Sequence, residues 1–334
     1  MTKIFRLIWL MFFLFSLTIL IACSKNSSGN INPPKPPDTT INQQLPLLTG
    51  KVIYHSYDSY GSASQMYIYD FAAKQLSLIS KNWNIYDPMN AHFSPDDTQI
   101  VFMGQATANG KWDIYLWQAG SSLQPVNLTY GDKCRDEDPK FSPDGKSICF
   151  KQTTVGGIGN IKVMSLNGLV TNTVTSNTVE SGMPYFLASG TALMYARGAG
   201  NTSDIYIVNL DGSNNRPLEN TNNLQEYYPI TFDSSSFLYT KSALTSIPYD
   251  QVYKGNFSTG IATSLPFNKS NADYSDAFPC GSDYVILSSD RTGTIGAYDL
   301  YIADINSGKI WSLNNYNSGI NSKQNELGAC YSEK

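Results

Sequence analysis

One alternating strand recurs six times along the 334-residue chain, and no other feature narrows the possible folds as much. It reads Gln65–Met66–Tyr67–Ile68–Tyr69, Asp113–Ile114–Tyr115–Leu116–Trp117 and Asn160–Ile161–Lys162–Val163–Met164. It then reads Asp204–Ile205–Tyr206–Ile207–Val208, Gln251–Val252–Tyr253–Lys254–Gly255 and Asp299–Leu300–Tyr301–Ile302–Ala303. The third positions (67, 115, 162, 206, 253, 301) lie 48, 47, 44, 47 and 48 residues apart. A fixed period of this length means stacked or radially arranged supersecondary units.

Each copy is preceded by a second apolar strand (52–56, 100–104, 148–152, 193–197, 237–241, 285–289) and followed by a turn and a third. A fourth strand opens the unit. It is clearest in Asp138–Pro139–Lys140–Phe141, which enters the tight turn Ser142–Pro143–Asp144–Gly145, and in Asn90–Ala91–His92–Phe93 before Ser94–Pro95–Asp96. Proline sets φ near −65° at the second turn position and glycine accepts positive φ where needed. Degenerate copies follow Pro184, Pro229 and Ala277. Four-stranded antiparallel units repeated six times define an all-β fold, a six-bladed β-propeller. The folded region, residues 49–334, opens on the second strand of a unit. Its tail, Asn325–Glu326–Leu327–Gly328–Ala329–Cys330–Tyr331, aligns with Ser275–Asp276–Ala277–Phe278–Pro279–Cys280–Gly281. The C-terminal strand is therefore expected to complete the first blade and close the ring, removing the exposed edges of an open sheet.

Residues 1–22 read as a lipoprotein signal peptide: Lys3 and Arg6 are followed by sixteen apolar or small-polar residues, Leu7 to Ala22, and the segment closes on Leu20–Ile21–Ala22–Cys23. That ending resembles the lipobox of bacterial lipoproteins, so Cys23 is the expected lipidation site. The competing reading is an uncleaved anchor, since a short span needs about 17 apolar residues. Small Ala22 and the lack of a basic stop-transfer flank favour cleavage. Residues 23–48 form a Pro-, Ser- and Asn-rich tether that cannot bury enough apolar surface to fold. No Asp follows Cys23, which by resemblance to the sorting rule of enteric bacteria places the anchor in the outer membrane, on a leaflet the sequence leaves open. Cleavage leaves 21 basic against 27 acidic residues, a net charge of −6, which argues against nucleic-acid binding.

The repeats resemble the WD-like β-propeller repeats of the TolB family through Phe93–Ser94–Pro95–Asp96, Phe141–Ser142–Pro143–Asp144–Gly145, Asp113–Ile114–Tyr115, Asp204–Ile205–Tyr206, Ser289–Asp290–Arg291–Thr292–Gly293 and Asp299–Leu300–Tyr301. The resemblance implies architecture more than activity. Such propellers serve as protein-docking domains in the envelope and as gating domains of serine peptidases, and related rings include pectin-fragment lyases. TolB carries an amino-terminal α/β domain where this sequence shows a tether, so its partner, the peptidoglycan-associated lipoprotein, is not carried over.

The residues themselves offer no Gly-x-Ser-x-Gly nucleophile. The two histidines, His55 and His92, read as strand-face residues rather than catalytic groups or metal ligands. Asp87, Asp136 and Asp138 lack the loop pattern of a calcium site, and loop aspartates commonly bond their own turns. No cofactor, metal or catalytic residue is expected, and the chain reads as a non-enzyme. Cys134, Cys149, Cys280 and Cys330 could bridge in three ways. Cys280 and Cys330 occupy equivalent positions, but inner-strand neighbours can exceed the roughly 7 Å Cα limit, and buried free thiols are the favoured reading.

Loops entering each innermost strand, with those joining second to third strands, meet at one mouth of the central channel. They bring together Trp83, Tyr86, Asp87, Trp112, Arg135, Asp136, Arg197, Glu226, Tyr227, Asp273, Tyr274 and Arg291, beside Lys111. Aromatics with scattered charges suit a protein or peptide partner, with a glycan ligand or lyase-like activity as the alternative. The plainer reading is that these tyrosines and tryptophans cap the blades.

Overall fold

The computed structural model describes residues 44–58, 63–176, 178–199, 202–219, 224–243 and 249–334. The expected signal peptide, Cys23 and nearly all of the expected tether lie outside the described residues.

Each hairpin turn is built by its own side chains. In the turn after Phe141, Ser142 Oγ donates to Asp144 Oδ1 (2.6 Å), and that carboxylate accepts from the Lys146 N–H (3.1 Å). Ser142 Oγ in turn accepts from the Ser147 N–H (3.0 Å), and Gly145 takes φ +70°. Ser94, Asp96, Thr98 and Gln99 repeat the arrangement one unit earlier. These hydrogen bonds hold the Asp96 carboxyl down to about 2.

The strands form in order Lys51–Tyr57 (β1), Gln65–Asp70 (β2) and Gln75–Leu78 (β3); then Tyr86–Phe93 (β4), Gln99–Gln105 (β5), Trp112–Gln118 (β6) and Val126–Asn127 (β7). Arg135–Phe141 (β8), Ser147–Thr153 (β9), Gly159–Ser165 (β10) and Val170–Thr173 (β11) follow. Next come Glu180–Phe186 (β12), Ala192–Ala199 (β13), Thr202–Asn209 (β14) and Arg216–Glu219 (β15). Leu224–Thr231 (β16), Ser236–Ala243 (β17), Asp250–Asn256 (β18) and Ala262–Ser264 (β19) precede Tyr274–Cys280 (β20), Tyr284–Ser289 (β21), Asp299–Asp304 (β22), Ile310–Ser312 (β23) and Asn325–Ser332 (β24).

Four separate four-stranded sheets result: β24-β1-β2-β3, β4 to β7, β8 to β11 and β20 to β23. The remaining strands, β12 to β19, belong to one eight-stranded sheet. This corrects the expectation of six separate blades. Two successive four-stranded units are joined by a single parallel bridge, Ser203 opposite Gln225, and every other pairing is antiparallel. β24 lies antiparallel to β1, from Lys51 opposite Ser332 to Tyr57 opposite Asn325, as the phase of the repeats predicts.

The apolar faces pack sheet against sheet. Val52, Tyr54 and Tyr69 of the first sheet meet Ile286, Leu300, Ile302 and Trp311 of the last in one buried cluster. Ile53, Met66 and Cys330 meet Ile100, Phe102 and Tyr115 in another. Cys134, Cys149, Cys280 and Cys330 are free thiols, the last three buried. Among the described residues no helix is long and apolar enough to cross a membrane.

Candidate functional site

All six innermost strands β4, β8, β12, β16, β20 and β24 break their ladder at the same point. Register shifts fall at Met89/His92, Glu137/Lys140, Gly182/Tyr185, Tyr227/Ile230, Ser275/Phe278 and Ile53/His55. At each break one residue takes left-handed backbone: Asn90, Asp138, Met183, Tyr228 and Asp276 with φ between 51° and 55°, and Gly328 at +62°. Such bulges re-aim side chains. These six residues line the central channel, and two positions further along each strand His92, Lys140, Tyr185, Ile230, Phe278 and Cys330 line it again. The cavity holds about 70 Å³.

The two rings differ in chemistry. The upper ring carries Asp138 and Asp276. Asn90 Nδ2 donates to Asp138 Oδ1 (2.8 Å) and Ser275 Oγ to Asp276 Oδ1 (3.2 Å). Burial, reinforced by the charges of Asp250 and Asp138, pushes the Asp276 carboxyl up to about 7. Burial and those same carboxylates also raise the Tyr228 phenol well above its usual range. The lower ring is largely apolar. His92 sits there against Tyr185, Phe278 and Phe141, and burial, helped by the Lys140 charge, pulls its imidazole down to about 3. The histidine expected as a plain strand-face residue is thus a channel-lining one.

The residues expected at the mouth divide by burial. Tyr86 and Arg135 are exposed, Arg135 donating to Glu137 (2.6 Å). Trp83 instead stacks on Phe102 (4.9 Å between ring centres) and edges onto Trp117, so it is blade packing. Trp112 is half-buried against the cluster containing Phe141 and Phe150, and Tyr274 is fully buried. Arg197 and Arg291 lie over Tyr206 and Tyr301. Asp87 Oδ1 accepts from the Ser64 N–H (3.1 Å).

Glu226 is buried with Lys241 Nζ at 3.1 Å, and Lys151 joins Glu137 (3.3 Å) to Glu180 (2.6 Å) across neighbouring units. Asp273 accepts from the Asp250 N–H (2.7 Å) and the Tyr298 hydroxyl (2.7 Å), while Asp290 accepts from the Asp273 N–H (2.7 Å). Tyr227 is half-buried, and burial with the nearby Asp250 charge holds its phenol well above the usual range. Tyr130 and Val155, 84 % and 82 % exposed, stand on loops at this same end and were not singled out by the repeats.

Asp113, Asp132 and Asp136 each offer an oxygen within 4.8 Å of the others, a spacing that could hold a cation. Lys111 already supplies positive charge there, with contacts to Asp113 and to Asp132 (3.1 Å). Burial and the Asp132 charge raise the Asp136 carboxyl above its ordinary value. Among the described residues Asp87 and Asp138 join no such group.

Antiparallel strands, a shared set of innermost bulges and an axial channel define the class: an all-β propeller. Residues 50–229 match the TolB β-propeller domain, and the chain belongs to that family. It is similar to TolB from Acinetobacter baumannii at 16 % identity and TM-score 0.67, covering 88 % of this chain and 69 % of that one. A puromycin-hydrolyzing peptidase of Mycobacterium tuberculosis matches at 12 % identity and TM-score 0.55 over 79 % of this chain and 45 % of that one. In sequence, 230 residues are 24 % identical to the uncharacterized peptidase YuxL of Bacillus subtilis (strain 168), 66 % of this chain and 32 % of that protein. The chain thus spans about a third of the length of that curated relative. These relatives correct the expectation of a non-enzyme: the lack of a Gly-x-Ser-x-Gly motif in this chain does not argue against a role in enzymatic chemistry.

Proposed function

We propose that this chain is a lipid-anchored propeller of the cell envelope that takes polypeptide at the mouth of its central channel, in the service of peptide processing. The observation that carries this reading is the mouth itself: exposed Tyr86 and Tyr130 stand on segments leading into innermost strands at the end of the channel whose upper ring carries Asp138 and Asp276. Aromatic side chains supply contact area with little entropy loss, and few of them need contribute for specific binding. The names of the two peptidases point to polypeptide as the ligand class. The Asp138 and Asp276 carboxylates inside the channel disfavour the acidic oligosaccharides that a pectin-type lyase would need, which supports peptide over that alternative. The lipobox at Cys23 supports anchoring in the outer membrane, and two units joined through Ser203 and Gln225 support counting six blades.

The test uses the full chain in detergent, with fluorescent peptides and neutral and acidic oligosaccharides as probes. Peptide binding that weakens about fivefold or more in Tyr86→Ala or Tyr130→Ala is the expected result, on the scale of about 1 kcal/mol per contributing side chain. Mass spectrometry of the incubated peptides reads hydrolysis in the same samples. Saccharide binding without peptide binding would replace the reading. An acylated amino-terminal peptide beginning at Cys23 is expected from cells, and an intact 1–22 segment would remove the anchor.

A further inference from the structure

Asp113 on β6, Asp132 on the loop after β7 and Asp136 on β8 converge where two successive sheets meet, outside the set of residues that line the channel. We infer that these three carboxylates bind a calcium ion in place of the Lys111 ammonium.

Asp136 lacks a partner. It is fully buried, its Oδ1 accepts from Gln152 Nε2 (3.0 Å), and its Oδ2 has no hydrogen bond. Among the described residues no ion pair reaches it. Thr129 stands beside it, but that hydroxyl has one proton and directs it to Asp113 Oδ1 (3.3 Å). The acids at the equivalent place in other innermost strands, two residues before the left-handed one, are provided for. Glu226 stands opposite Lys241 in the ladder, with Nζ at 3.1 Å. Glu326 accepts from the hydroxyls of Ser56 (2.9 Å) and Ser322 (2.7 Å) and from the Ser322 N–H (3.2 Å). Asp136 stands opposite neutral Gln152 and receives one amide hydrogen. A buried carboxylate without a counter-charge is costly, and an unpaired oxygen in a native interior calls for a partner.

Lys111 marks the centre of the site. Its part-exposed ammonium contacts Asp113 Oδ1, Asp132 Oδ1 (3.1 Å) and the Thr129 carbonyl (3.5 Å). One ammonium leaves three carboxylates undercompensated, and its flexible stem lets it swing out to solvent. The oxygens left behind are hard donors, which suit a hard cation. They lie within 4.8 Å of one another, as oxygens do on the calcium shell of about 2.3–2.6 Å radius; the magnesium shell of about 2.0–2.1 Å is narrower and more exacting. Neighbours fix the carboxylates from outside. Asn127 Nδ2 donates to Asp113 Oδ2 (2.9 Å), the Cys134 N–H to Asp132 Oδ1 (3.0 Å) and Gln152 Nε2 to Asp132 Oδ2 (3.4 Å). Such outer contacts orient metal ligands. The ion fastens the loop of Asp132, which also carries exposed Tyr130, to the sheets on either side.

The experiment uses the full chain in detergent at pH 7, stripped with a chelator and titrated with calcium chloride in a calorimeter. One calcium ion is expected to bind, at least tenfold more tightly than magnesium, and to raise the melting temperature. Asp136→Asn is expected to weaken calcium at least tenfold. Lys111→Ala is expected to tighten it at least fivefold, because the competing ammonium is gone. Hydrogen exchange of wild-type residues 129–134 is expected to slow when calcium is added, a readout that stands even where a variant fails to fold. Absence of calcium binding to the wild-type chain overturns the inference and leaves a proton as the relief of Asp136. Undiminished binding in Asp136→Asn, or unchanged exchange at residues 129–134, places the ion elsewhere on the chain and overturns it too. Equal affinity for magnesium overturns the assignment to calcium.

Discussion

At the scale of single residues, buried charge sets two expectations. Lys241 Nζ lies 3.1 Å from the fully buried Glu226 carboxylate. Removing one partner of a buried pair costs about 3–5 kcal/mol because the other charge stays behind. Lys241→Met is therefore expected to lower stability by that order, and Glu226→Gln by less; denaturant titration of both variants checks the ranking. The channel and the strand behind it titrate in two opposing senses. Asp276, near 7 when folded against 3.8 ordinarily, stabilises fully below about pH 4 and loses that contribution as pH rises to about 7. His55 and His92, lowered from 6.5 to about 4 and about 3, stabilise above pH 6.5 and lose that contribution as pH falls. Asp276→Asn removes only the first effect. Its melting temperature should gain on wild type between pH 5 and pH 8, and a constant difference would show that the carboxyl does not titrate as its surroundings imply. Little of this was legible in the sequence. Asp138 opens a recognisable hairpin, but nothing in the repeat pattern distinguishes a residue pointing into the channel from one capping a turn. Trp83 was misplaced for the same reason: an aromatic in a loop reads as exposed until its stacking on Phe102 is seen.

At the scale of elements, the strands were legible because their alternation is regular, and the innermost bulges were not. Asn, Asp and Gly tolerate left-handed backbone, and four of the six bulge residues are of those types, but Met183 and Tyr228 give no such signal. What does recur is the next residue, which is Ala or Pro in every copy: Ala91, Pro139, Pro184, Pro229, Ala277 and Ala329. Gly328 has its own reason to be glycine. A Cβ there would lie 2.6 Å from His55 Cε1 and 3.2 Å from Asn90 Oδ1. Gly328→Ala is accordingly expected to destabilise by about 1–3 kcal/mol from the left-handed backbone alone, with crowding of the buried His55 ring added. His55→Ala should relieve the added part, so the pair should show positive coupling in a double-mutant cycle. Strict additivity would place the cost in the backbone and not in the ring contact.

At the scale of the whole molecule, the ring depends on a pairing between its two ends. The period of the repeats and their phase were enough to anticipate that pairing. The fusion of β12 to β19 was not, because it rests on the single bridge of Ser203 and Gln225, which no periodicity announces. β24 gives β1 its inner neighbour from Lys51 to Tyr57 and contributes buried Glu326, Ala329, Cys330 and Tyr331 to the seams on either side. Deleting residues 325–334 leaves one edge of β1 without a partner and uncovers Val52, Ile53 and Tyr54, each at most 1 % exposed in the intact chain. Each buried backbone group left unsatisfied costs about 1–3 kcal/mol, so several approach the roughly 5–15 kcal/mol by which a domain is stable. Deleting residues 24–37 removes more of the chain and leaves every described strand in place. The short C-terminal deletion is therefore expected to aggregate or to melt far below wild type, and the longer amino-terminal one to melt within a degree or two of it. Matched melting curves and gel filtration of the two variants decide the matter. Equal stability of both would mean that β24 adds no strength to the ring, and the two ends would then have to be held by the sheet-to-sheet packing alone.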